Sequence, residues 1–111
     1  MQVTHIVLLQ FKPEVTAEVQ ENVASQVKAL RGNCIHPVTG KPYIASMKAG
    51  ADVSIESLQN GISHAFVSVF ENTEDRDYFV HKDPAHIGVV QNVEEHLAKV
   101  QVVDFIDGKL I

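Results

Sequence analysis

Four side chains have the types and setting for acid-base chemistry: His5 and His64, each inside an apolar run, and Tyr78 and His86, which bracket the stretch YFVHKDPAH. An imidazole titrates at about pH 6.5 and can act as a general base, while a phenol hydroxyl can donate to an oxygen that gains negative charge. Such a set suits proton abstraction next to a carbonyl, the first step of an intramolecular aldol closure, and needs no cofactor. A single histidine on an apolar strand is most often a hydrogen-bonded core residue. Four polar-tipped rings that can converge are harder to explain by packing alone.

Other chemistries have weaker support. The chain has no His-x-x-x-His or His-Glu-x-x-His pair, and His81 and His86 are separated by a proline, a poor arrangement for a metal. Cys34-Ile35-His36 reads as an exposed loop segment rather than a nucleophile or redox pair. Glu71, Glu74, Asp75 and Asp77 suit the start of a helix, where negative charge is favoured, and Glu94-Glu95 suits a solvated helix face. Neither a metal nor another cofactor is expected.

The bulk of the chain narrows the setting. Its 111 residues fit one domain, 1–111, and 45% hydrophobic with 21% charged residues is ordinary for a folded protein. A net charge of -5 with thinly spread Lys and Arg argues against nucleic acid as a partner. One cysteine forms no internal disulfide, which points to a reducing, cytoplasmic compartment. MQVTHIVLLQFKPE has no basic leader and only a short apolar run, so it is expected to be a strand rather than a signal or membrane segment.

The elements that would position the four rings follow from periodicity. Gln2 to Phe11 reads as a strand, and Thr16 to Leu30 as a helix with Val19, Val23, Val27 and Leu30 along one side. A short strand is expected near Tyr43 to Ala49, then a polar connection with a single helical turn around Ile55 to Leu58. Ile62 to Phe70 alternates as a strand with His64, Phe66, Ser68 and Phe70 on one face. Asn72 with Asp75 resembles a capping box and opens a helix to about Val80. Asp83 then caps, and Pro84 starts, a helix to about Lys99 in which His86, Val90, Val93 and Leu97 share a face. Val100 to Ile106 is the last strand.

The predicted order, β-α-β-β-α-β, is the ferredoxin-like α+β arrangement, with both helices on one face of a four-stranded sheet. Three strands are apolar on both alternations, so the face without helices should also be buried. A second copy of the sheet, giving a homodimer, is the economical cover. Tyr78 near the end of one helix and His86 in the first turn of the next can be turned toward the same space, facing the sheet that carries His5 and His64.

THIVLLQFK in the first strand, GISHAFVSVFENTED through the third and DYFVHKDPAH at the helix join resemble the stress-responsive A/B barrel family, dimeric α+β barrels that include a plant polyketide cyclase. The resemblance covers nearly the whole chain. It implies a substrate cavity lined by His5, His64, Tyr78 and His86, with Tyr78 and His86 in the catalytic acid-base roles and His5 and His64 binding substrate. The chain departs from cyclase-like members in carrying Lys82-Asp83 between His81 and Pro84.

Two functions compete at this level. One is a cofactor-independent cyclase- or lyase-like protein, in the cytoplasm, that binds a small apolar, phenolic or polyketide-like compound. The other is a non-catalytic stress-response protein acting as a stable dimer or higher assembly. Neither involves nucleic acid or a membrane. A pocket of about 300 Å³ or more lined by the four rings favours the first, and a filled core the second.

Overall fold

The computed structural model describes residues 1–111. Strand β1 (Val3–Phe11) is followed by helix α1 (Ala17–Lys28), the single turn α2 (Leu30–Asn33), β2 (Ile44–Ala51) and β3 (His64–Phe70). Helices α3 (Thr73–His81) and α4 (Pro84–Val93), a 3-10 turn (Glu94–His96) and β4 (Leu97–Phe105) complete the chain. The strands form one antiparallel sheet in the order β2-β3-β1-β4, which is the ferredoxin-like topology.

Side-chain caps fix where the helices begin. The Thr16 hydroxyl accepts from the Val19 amide at 3.3 Å, Asn72 Oδ1 from the Asp75 amide at 2.7 Å, and Asp83 Oδ1 from the Ala85 amide at 2.9 Å. Each satisfies a first-turn amide that has no partner inside its helix. Pro84 takes the first position of α4, where a missing amide hydrogen costs nothing.

Several boundaries differ from the periodicity. The first helix stops at Lys28, and Leu30 opens a separate turn. The last helix ends at Val93 instead of near Lys99, because Leu97 pairs with Phe11 and Lys99 with Gln10 in the sheet. Ladder hydrogen bonds and a run rich in β-branched valines outweigh continued helical spacing there. Strand β2 runs on to Ala51, and β3 begins only at His64. No helical turn forms over Ile55 to Leu58; Ser57 and Asn60 take left-handed backbone, with φ of 59° and 53°, which breaks any helix. Cys34 is not exposed but fully buried.

Helices cover the sheet face that carries Leu9, Phe11, Phe66 and Phe70, yet the core beneath them is divided. One cluster joins Leu30, Cys34, Tyr43, Ile44, Phe70 and Phe79, and the other Leu9, Phe11, Val23, Phe66 and Val93. Space remains between the two clusters. The opposite sheet face carries Ile6, Leu8, Val67 and Val69 half-buried, with Val103 and Phe105 exposed at its edge.

Candidate functional site

Strand register builds the floor of the site. Met47 pairs with Ser68, Ser68 with His5, and His5 with Asp104, so one row of side chains crosses all four strands on the helix side. His5 is buried, and its Nδ1 lies 2.6 Å from Asp104 Oδ1. Asp104 Oδ2 accepts in turn from the Arg76 guanidinium at 2.7 Å, and Arg76 also pairs with Asp77 at 2.8 Å. The carboxylate favours a proton on Nδ1, which leaves the Nε2 lone pair of a neutral His5 as the free acid-base position. Phe70 and Phe79 pack against the His5 ring in T-shaped pairs, at 6.1 and 5.8 Å between centroids, and help fix its plane.

Above this row lies an apolar cleft of about 510 Å³, with His5, Ser68 and Phe66 below and Phe79, His86 and Val93 above. The helices leave the inner side of edge strand β4 uncovered, so Val100 and Val102, 51% and 54% exposed, line the open side. His86 stacks on Phe79 with 4.1 Å between ring centroids. Its Nδ1 is sealed from solvent and has no hydrogen-bond partner. Burial, the largest cause, holds its pKa below the ordinary imidazole value of 6.5; the Phe79 backbone carbonyl opposes this, and His5 reinforces it. A buried unpaired ring nitrogen costs about 1–3 kcal/mol, a cost that an apolar side chain in the same place would avoid.

Only two of the four predicted rings meet in this cleft. His5 and His86 line it; Tyr78 and His64 do not. Successive helical residues differ in direction by about 100°, so once Phe79 takes the inward direction of α3 its neighbour Tyr78 is turned away. Tyr78 packs instead on Tyr43, 5.8 Å between centroids. His64 shares the face of His5 but lies four residues along β3 from Ser68, about 13 Å at strand spacing. There it bonds Ser63 Oγ through Nδ1 at 2.8 Å, packs edge-on to Phe11 and lines a separate polar pocket with Asp52 and Gln59. Burial lowers its pKa as well.

Asp104, Arg76 and Ser68 were not anticipated as site residues. Alternation in the last strand does place Asp104 in phase with Val100 and Val102, the one sequence signal for it, but only the pairing with β1 sets it beside His5.

A second buried polar group lies under the helix join. Tyr43 donates its hydroxyl to Asp83 Oδ2 at 2.5 Å, and both residues are buried. Burial, with the Asp83 carboxylate beside it, raises the Tyr43 pKa and pushes the Cys34 thiol up to about 12. A thiol so firmly protonated is no nucleophile. No three His, Cys, Asp or Glu side chains group closely enough to hold a metal ion, and no helix is long and apolar enough to cross a membrane.

Comparison with known proteins agrees with this architecture. The chain is 35% identical over 104 residues, 93% of its length and 87% of the relative's, to the stress-response A/B barrel domain-containing protein HS1 of Arabidopsis thaliana. It is 28% identical over 111 residues, 98% of its length and 100% of the relative's, to olivetolic acid cyclase of Cannabis sativa. A dimeric ferredoxin-like protein of unknown function from Thermobifida fusca superposes with a TM-score of 0.71 at 24% identity, covering 95% of this chain and 90% of that one. Residues 3–107 match the stress responsive A/B barrel domain, and the chain belongs to that family.

Proposed function

We propose that this protein binds a small apolar compound with a carbonyl or phenolic oxygen in the cleft between sheet and helices, and acts on it by cofactor-free proton transfer. The observation that carries this is the His5–Asp104 pair at 2.6 Å on the floor of a mainly apolar cleft. His5 Nε2 takes a proton from the carbon next to the carbonyl, and the imidazolium that forms is stabilised by Asp104. His86, whose pKa burial lowers, stands across the cleft as the second polar contact for the ligand. A polyketide-like substrate and a cyclase- or lyase-like outcome are supported by the likeness to olivetolic acid cyclase. Calorimetric titration with 4-pentylphenol is expected to give saturable binding that His86→Ala abolishes without unfolding the protein. Absence of binding by this and related alkylphenols would favour the non-catalytic stress-response alternative.

The same proposal includes a homodimer closed over the open sheet face. A continuous face of Ile6, Leu8, Val67, Val69, Val103 and Phe105 is costly to leave in water, and the Thermobifida fusca protein of this fold is dimeric. Light scattering at micromolar concentration should give twice the chain mass, and Val67→Glu should halve it. A well-folded wild-type monomer under those conditions refutes the dimer.

A further inference from the structure

The cleft has a definite polar pattern. Apart from the apolar lining, its side chains are His5, Ser68, His86 and Glu94. Ser68 is 3% exposed, sits directly across the strand from His5, and makes no side-chain hydrogen bond within the protein. Its hydroxyl is not sealed in the way that His86 Nδ1 is, so it opens to the cleft and is free to donate to, or accept from, a ligand oxygen there. Glu94, on the exposed 3-10 turn, brings a negative charge to the rim.

No lysine or arginine lines the cleft. The nearby cation, Arg76, is already engaged by Asp104 and Asp77. A proton gained by His5 is offset by the Asp104 carboxylate it touches, and burial resists a proton on His86. An anionic ligand would therefore give up its hydration, meet no uncompensated positive charge, and pass a carboxylate on entry.

We propose that the cleft selects uncharged ligands that carry a hydroxyl or carbonyl oxygen, with the Ser68 hydroxyl as the group that holds that oxygen beside His5 and Glu94 as the group that turns carboxylates away. This rests on the cleft being a ligand site, and it narrows the ligand from any small apolar compound to a neutral one. Ser68 has a specificity role, distinct from the proton transfer at His5.

Two probes on one apolar frame separate the possibilities: 4-pentylphenol and 4-pentylbenzoate, titrated at pH 7.5, where the first is neutral and the second is an anion. The phenol should bind at least about tenfold more tightly, the scale expected from desolvating an unpaired carboxylate. Ser68→Ala should weaken phenol binding by about fivefold to tenfold, as for one lost hydrogen bond. Glu94→Gln should narrow the gap by raising benzoate affinity. Ser68→Ala removes a single oxygen; should it fold poorly, Ser68→Cys keeps the shape with a far weaker donor and should show the same loss. Benzoate binding as tight as phenol, or phenol binding indifferent to Ser68, overturns the selectivity while leaving the cleft a ligand site. Binding of neither compound overturns both.

Discussion

Asp83→Ala is expected to destabilise the fold by about 2–4 kcal/mol, against about 1 kcal/mol for a helix cap alone. The carboxylate is only 1% exposed and does two jobs. Oδ1 accepts from the Ala85 amide at 2.9 Å and caps α4, while Oδ2 accepts from the Tyr43 hydroxyl at 2.5 Å. Alanine leaves the amide and a buried phenol hydroxyl unsatisfied together. The two losses are separable: Tyr43→Phe removes only the second, and Asp83→Asn can keep both contacts in part. Urea denaturation of the three variants and of the Asp83→Ala/Tyr43→Phe double variant measures the coupling between the two residues. A loss of under about 1 kcal/mol for Asp83→Ala, or additive effects in the double variant, would show that the Tyr43 contact contributes little.

His5→Ala is expected to lower proton abstraction from carbon by about a hundredfold or more, the usual range for a positioned general base. A convenient probe is 5-nitrobenzisoxazole, a neutral, flat molecule whose ring opens on loss of a carbon-bound proton and releases a coloured nitrophenolate. The wild-type protein should accelerate this over free imidazole at equal concentration. Asp104→Asn should lose about tenfold or more, since an amide can hold the wrong tautomer and cannot balance the imidazolium charge. Tyr78→Phe should change little, because Tyr78 packs on Tyr43 away from the cleft. Thermal melts on the same preparations separate lost chemistry from lost fold. A rate unchanged by His5→Ala, or a strong loss with Tyr78→Phe, would return the catalytic role to the Tyr78 and His86 pair implied by family resemblance.

The sequence by itself determined the order of elements, the caps at Asn72 and Asp83, the inward setting of His86, and strands apolar on both faces. These depend on interactions within a turn or two, or on alternation along one strand, and so are visible in consecutive residues. Tertiary structure decided which side chains share the cleft. His5 and Asp104 are 99 positions apart, and only the register between β1 and β4 brings them to 2.6 Å. A slip of one residue would send Asp104 to the opposite face. The same register set Ser68 beside His5 and His64 about 13 Å away, although both histidines face the helices. Rotation about the α3 axis likewise gave the inward place to Phe79 and turned Tyr78 toward Tyr43. Periodicity tells which way a side chain faces; how far along a strand it sits from its partners is set by the packing of the whole sheet.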